Sequence, residues 1–449
     1  MNTVHGVSRR KFLLGSGGVV ALALAACAAP VPAAGDTAQE AAAPAMPEPL
    51  EVDLWHGLGG ADGKTFTELV GQYMEENDHV TVNEELLTWD IFYQKVPSSV
   101  IAGNPPDMII THEWAIGQWG PRRVLSAADD FYDSMGVPRD DFIPAVFENI
   151  HYEGSPLGVL LDTHGSGGYL NVALVEAAGL DPASPPTNRT EFVEQMSLLT
   201  LDSQGRNPTD AGFDPDDIVQ YAFHSHFWRR WAMLEGMWQN GGNTINEDGT
   251  QSTIDSEEVT EALAFWHKMV HEHHLHAVPV GYSMTDSYQN NTLVLAIGGS
   301  WWRNFIQDSN LVDTTTFWRV PQYGLVEPVA WMSAHVMGIP TGTDEEGTMG
   351  ASDLIVWLSN HGLDWARSGQ PPARISLQND PVLQDHWHTG NFGSQFQAIG
   401  RTEQQHANIT EIQNAYQQEF EAVITNVKTV SDGIAEAHLR VQEVLDREA

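Results

Sequence analysis

Residues Leu50–Gly60 read LEVDLWHGLGG. Leu50, Val52 and Leu54 alternate with Glu51, Asp53 and Trp55, which is the period of a strand with one buried face. The glycines at 57, 59 and 60 then break the strand into a loop. A helical pattern over Lys64–Glu76 follows, then a strand over Val80–Leu86, a helix over Asp90–Ala102 and a third strand over Asp107–Thr111. Strands alternating with helices in this way predict an α/β sheet covered on both faces. Ligands in such sheets sit beyond the carboxyl ends of the strands, which makes the loops after Trp55 and Thr111 the first places to look for a site.

Further along, Leu157–Asp162 is extended and leads into Gly165-Ser166-Gly167-Gly168, expected to be a flexible turn where the chain changes lobe. Asn171 is placed to cap a helix that ends before Gly179, and DPASPPTN after it is a loop. Asp255–Glu258 reads as a capping box opening a helix to about His274. Leu293–Ile297 reads as a buried strand, Gly298-Gly299-Ser300 as a tight turn, and Trp301 as the start of a helix. Val329–Ile339 is extended again and the remainder is mostly helical, with no repeat of fixed period.

The N-terminus is of a different kind. Ser8–Cys27, SRRKFLLGSGGVVALALAAC, places a basic cluster before an apolar run too short to span a bilayer, and ends on the chain's single cysteine. Ser8–Leu13 resembles the twin-arginine export signal, and Leu24-Ala25-Ala26-Cys27 resembles the bacterial lipoprotein cleavage box. That resemblance implies a signal peptide over residues 1–26 and an acylated Cys27 as the mature N-terminus. Residues 27–48, rich in Ala and Pro and without an aromatic, cannot build a core and are expected to be a tether. Losing the signal removes three basic residues and no acidic one, which takes the formal charge from −39 to about −42. Nucleic acid and anionic lipid are poor partners for a body so acidic. A lone cysteine excludes a disulfide within the chain.

With these pieces in order, the chain resembles the bacterial extracellular solute-binding proteins of family 1, the sugar-binding components of ABC importers, a group that includes maltose-binding protein. The motifs that carry the resemblance are LWHGLGG at Leu54–Gly60, AGNPPDMI at Ala102–Ile109 and LVEAAGLDP at Leu174–Pro182. Two more are the pair NGGNTINEDG (Asn240–Gly249) with IDSEEVTEALAFW (Ile254–Trp266), and the Gly298–Trp301 turn. Two departures stand out. Gly168-Tyr169-Leu170-Asn171 replaces the family's Tyr-Tyr-Asn-Lys, and Asn290–Val294 replaces its Gly-Lys-x-Ala-Met. The resemblance implies a two-lobed α/β periplasmic-binding fold (type II) with discontinuous lobes about a hinge. Lobe one is expected at about 49–161 plus 326–368 and lobe two at about 162–325 plus 369–449. It implies a monomeric receptor, outside the cytoplasm, for a small solute of carbohydrate class, serving ABC permease subunits and needing no cofactor. The alternatives are the same fold holding a polyol phosphate, polyamine or peptide, and a secreted hydrolase lipoprotein.

A sugar ring offers one C–H face that an indole can cover and a rim of hydroxyls for Asp, Asn, His or Arg. Among fifteen tryptophans, Trp266 and Trp357 fit amphipathic helices and read as core. Trp55, Trp114, Trp301, Trp302 and Trp331 fall at strand ends or loops. The candidate ligand set is therefore Trp55, His56 and Gly57 after the first strand, His112, Glu113 and Trp114 after the third, Asp162 and His164 at the crossing, Trp301, Trp302 and Arg303 at the Gly-Gly-Ser turn, and Trp331 and His335 on the returning strand. Trp301 leads that set because it matches the family's stacking position. Trp228, Arg229 and Trp231 are expected to pack their own helix. The segment HKMVHEHHLHA (His267–Ala277) carries histidines four apart but not the H-E-x-x-H spacing, and no metal site is expected. No G-x-S-x-G, P-loop or dinucleotide fingerprint occurs, and the chain does not read as an enzyme.

Overall fold

β1 (Leu50–His56) buries Leu50, Val52 and Leu54 and exposes Glu51 and Asp53, as its alternation requires. A computed structural model describes residues 49–225, 230–278, 281–384 and 386–447. The export signal, Cys27, the tether, Trp228 and Arg229 lie outside these residues. β2 (Val80–Leu86) and β3 (Met108–His112) flank β1 in parallel, linked by α1 (Gly60–Glu76) and α2 (Trp89–Ile101). The remaining strands are β4 (His151–Tyr152), β5 (Ser155–Pro156), β6 (Val159–Leu160), β7 (His164–Asn171), β8 (Leu201–Asp202), β9 (Ile218–Ser225), β10 (Leu293–Gly299), β11 (Thr315–Trp318), β12 (Ala330–Ser333), β13 (His335–Gly338) and β14 (Gly400–Arg401).

Apart from the small β4–β5 hairpin, these strands make two sheets. The first runs β2-β1-β3-β13-β6 and the second β14-β12-β7-β10-β9-β8, with β11 also paired to β7. Around the first sheet Val52, Leu54, Phe66, Ile109, Val336 and Leu354 form an apolar core. Around the second, Phe223, Leu295, Trp266, Tyr416 and Phe420 form another. The result is the expected two-lobed α/β architecture. Its helices start where local chemistry allows: Asn171 Oδ1 accepts the Leu174 N–H, and Ser256, one residue beyond the expected cap, accepts that of Val259. That second helix closes at His271, short of His274, which has positive φ.

Three passes join the lobes. β6 leads through Leu161–Thr163 into β7. β12 belongs to the second sheet and β13 to the first, so the return crosses at Ala334. The sequence placed that return near 326, because Val329–Ile339 looks like one extended run and nothing local marks the change of sheet. The third pass runs alongside the first, with Thr163 N–H donating to the Pro371 carbonyl at 2.9 Å and Ala373 N–H to that of Leu161 at 3.2 Å.

Two turns expected from glycine content are strands instead. Gly165–Gly168 lies wholly within β7, and Gly298 and Gly299 are the last residues of β10. In β7 the glycines answer to neighbours and not to a bend. A Cβ on Gly165 would sit 2.1 Å from the Trp331 carbonyl oxygen, and one on Gly167 would sit 2.4 Å from the Phe392 ring. Strand and helix approach each other where side chains are missing. Gly165→Ala is accordingly expected to destabilise the protein by about 2 kcal/mol or more, since backbone and not a flexible side chain must move. Urea unfolding checks this, and a change within about 0.5 kcal/mol would contradict the close approach.

Candidate ligand-binding site

Asp162 is fully buried in the first pass. Its Oδ1 accepts from His164 Nδ1 and from the His335 backbone N–H, each at 3.1 Å. Its Oδ2 accepts from His335 Nδ1 at 2.8 Å and from Trp365 Nε1 at 2.9 Å. Burial works against the anion, but His335 and the other donors outweigh it and hold the carboxyl well below the usual range. Burial likewise acts to lower His335, where Asp162 wins and raises it. Glu113 ties the return crossing from the other side, its Oε2 accepting from the Ser333 hydroxyl and from the Ala334 N–H. Burial pushes Glu113 up to about 7 despite those donors.

Three imidazoles converge at this hinge. His335 pairs with His112 in the β13–β3 ladder, and Ser333 with His164 in the β12–β7 ladder. Ring centroids are 4.3 Å apart for His164 and His335, 4.8 Å for His112 and His335, and 5.3 Å for His112 and His164. Burial, followed by the neighbouring imidazoles, keeps His112 well below its ordinary value; burial and then His335 take His164 to about 4. Indoles surround the group. Trp89 lies nearly parallel to His335 at 5.9 Å and edge-on to His112 at 4.4 Å. Trp114 lies 5.9 Å from His112, with the Arg230 guanidinium 4.8 Å over its own ring. Trp301 and Trp331 meet His164 edge-on at 6.3 and 5.9 Å. Trp301 is 38 % exposed, its ring lying over Gly299, where a Cβ would clash at 2.2 Å.

The fold thus gathers His112, Trp114, Asp162, His164, Trp301, Trp331 and His335 in one place. Glu113 sits beside them at the return crossing, and the remaining nominated residues are engaged in contacts of their own. Trp55 is half-buried beneath Lys95, whose Nζ is 3.7 Å from its ring. His56 is fully buried, with Nε2 on Glu84 at 3.1 Å and Nδ1 accepting the Leu58 N–H at 3.2 Å, so it shapes the loop and offers no free edge. Gly57 acts by absence: a Cβ there would lie 2.3 Å from the Trp89 ring. Trp302 packs among Tyr169, Tyr288 and Phe305 as core, and Arg303 donates to the Arg367 carbonyl. His267 and His271 bond to Asn426 and the Ile424 carbonyl and so fasten a helix end. Trp357, expected in the core, is only half-buried against Tyr73 and His361.

Sequence reasoning passes over several contributors. Trp89 and Tyr93 sit in the first turns of α2, Tyr93 with its hydroxyl on His112 Nδ1. Asp62, in the first turn of α1, is pushed up by burial and pulled back by the nearby His335. Trp231, expected to serve its own helix, stacks on Trp331 at 5.6 Å. A glycine-rich loop followed by an acidic residue at a helix start was the one available signal, and it points at Asp62.

Two α/β lobes joined by crossing strands, with aromatic and imidazole groups gathered where they cross, define a solute-binding protein. The model of the bacterial extracellular solute-binding proteins matches residues 68–391, and the chain belongs to that family. A provisionally assigned binding protein of Brucella abortus (strain 2308) is 22% identical over 305 residues, 66% of this chain and 65% of that protein. The chain thus spans less than two thirds of the length of the curated relatives it matches. Among solved structures, the cyclic alpha-maltosyl-1,6-maltose binding protein from Arthrobacter globiformis aligns with a TM-score of 0.73 at 18% identity, over 89% of this chain and 100% of that one. The maltose/maltodextrin-binding domain from Bdellovibrio bacteriovorus, bound to maltotriose, aligns with a TM-score of 0.74 at 14% identity, over 88% and 100%. At these identities the likeness is one of fold. The family and these neighbours are binding proteins and not enzymes.

Trp331 is held from behind by Glu235, a fully buried carboxylate that accepts its backbone N–H at 2.9 Å and the hydroxyls of Ser166 and Tyr323. Burial raises Glu235 to about 7 against these three donors. A carboxyl whose folded value exceeds its unfolded one contributes stability fully below about pH 4, and that contribution is lost as pH rises through about 7. Glu235→Gln, which has the shape of the protonated acid, is expected to flatten this dependence. In urea unfolding the variant should gain on the wild type between pH 5 and pH 8, by up to about 3 kcal/mol. Equal pH slopes in the two proteins would place the titration elsewhere.

Proposed function

We propose that this chain is an exported, lipid-anchored receptor that binds a sugar or oligosaccharide between its lobes and delivers it to the permease of an ABC importer. The observation that carries the reading is the half-exposed Trp301 indole beside His164, with Trp331, Trp114 and Trp89 around the same imidazoles. Flat apolar faces next to hydrogen-bonding polar edges suit the two aspects of a sugar ring. The sugars named for the structural neighbours support the same class. Lobe one comprises the sheet built on β1 and lobe two the sheet built on β7. A solute touching both lobes stabilises their closed arrangement by the difference in its affinity for the two states. The receptor acts as a monomer, and acylated Cys27 with the tether holds it at the outer face of the membrane. Thermal shifts against a carbohydrate panel test the class: stabilisation by a sugar supports it, and stabilisation by a polyamine, peptide or phosphate alone overturns it.

Two substitutions sharpen this. Trp301→Ala should weaken sugar binding tenfold or more, or at least about 1.4 kcal/mol, and leave the sugar-free melting temperature nearly unchanged. A core tryptophan would do the reverse, costing about 3–5 kcal/mol of stability. Cys27→Ser should move the expressed protein from the detergent phase to the aqueous phase on partitioning; identical partitioning of both forms would remove the lipid anchor from the reading.

A further inference from the structure

His112, His164 and His335 come from the end of β3 and the starts of β7 and β13, yet one ring nitrogen of each lies within 4.8 Å of one from the others. We propose that these three histidines form a binding site for a divalent transition-metal ion of the zinc class, set in the hinge at the floor of the cleft. Among the described residues this is the only group so placed. The inference does not depend on the identity of the solute.

The atoms that face the ion follow from what holds the rings. The Nδ1 atoms of His164 and His335 are taken by the two oxygens of Asp162 at 3.1 and 2.8 Å, and His112 Nδ1 by the Tyr93 hydroxyl. Nε2 of each ring makes no hydrogen bond to another described residue. A metal-binding imidazole characteristically donates its other N–H to a carboxylate or hydroxyl, which fixes the tautomer and makes the free nitrogen more basic. One buried carboxylate supplies that service to two of the rings and brings a negative charge to offset the cation. Asp162 cannot turn away, because Trp365 Nε1 and the His335 N–H occupy it as well.

Three imidazole nitrogens select zinc, cobalt, nickel or copper over calcium or magnesium, which take oxygen ligands. At metal–nitrogen distances of about 2.0–2.1 Å, neighbouring nitrogens of a tetrahedral site stand about 3.4 Å apart. The ring nitrogens, now within 4.8 Å of one another, must therefore draw closer to hold the ion. His112 is half-buried while His164 and His335 are buried, so the ion enters past His112. A three-nitrogen set leaves a fourth position for water or an oxygen of the solute.

The test uses the tag-free mature protein, stripped with a chelator. Zinc titrated by calorimetry should saturate at one ion per chain and raise the melting temperature. Cobalt(II) should give the intense visible bands of a tetrahedral site. His112→Gln, the least buried of the three, should lose affinity tenfold or more for both ions and keep its metal-free melting temperature. His271→Gln, His273→Gln and His274→Gln together should leave the affinity for both ions unchanged. Absence of saturable binding, a weak octahedral cobalt spectrum, or affinity undiminished in His112→Gln would overturn the site. The carbohydrate panel, run on the same stripped protein, is read separately and stands or falls by itself.

Discussion

Everything at the centre of this molecule turns on keeping one carboxylate ionised out of water. Asp162 survives there because all three passes of chain between the lobes, or the elements next to them, send it an N–H: His164 from the first, His335 from the second, Trp365 from just before the third. A buried charge without partners costs several kcal/mol, and one stripped of a partner costs nearly as much. The passes are therefore held in fixed register exactly where a two-lobed protein would otherwise be loosest.

The proposed binding surface is organised by what surrounds this buried carboxylate. Indoles are placed by missing side chains: Trp89 lies where Gly57 has no Cβ, and Trp301 lies over Gly299. Polar groups behind them are satisfied in pairs, as with Glu235 behind Trp331 and Glu113 behind Ala334. Large rings seated on glycine backbone and backed by filled hydrogen bonds keep few alternative rotamers. A ligand meeting such a surface loses little free energy in ordering it.

Which parts could be read from the sequence follows from the range over which each cause acts. β1 and β2 were legible because burial of one face repeats every second residue, and that signal is complete within seven residues; β3, buried throughout Met108–Thr111, reads instead as a short apolar run. Gly165–Gly168 was not, since three glycines in four residues look like a turn and the demand for them comes from Trp331 and Phe392, far along the chain. His112 could be nominated from the α/β rule on strand ends, and His164 and His335 from their places at the expected crossing and on the returning strand, and the three do meet. His56, nominated by the same rule, serves its own loop, because the rule locates strand ends and says nothing of which ring nitrogens the loop will use. A cluster spread over residues 112, 164 and 335 has no local spacing from which its convergence could be inferred.

The position of β13 has a consequence for how the chain is made. It inserts between β3 and β6 in the first sheet, although about 170 residues of the second lobe are synthesised between β6 and β13. The first sheet is thus left with an open edge on β3 until residue 338 has emerged. Pairings this remote in sequence are slow to form, and an unpaired edge invites association with other chains in the meantime. The sheet of lobe one lacks its fourth strand in spatial order until most of lobe two has been made. The first sheet is completed only with strands made late, and a chain of one cysteine has no internal disulfide to hold the early strands in place.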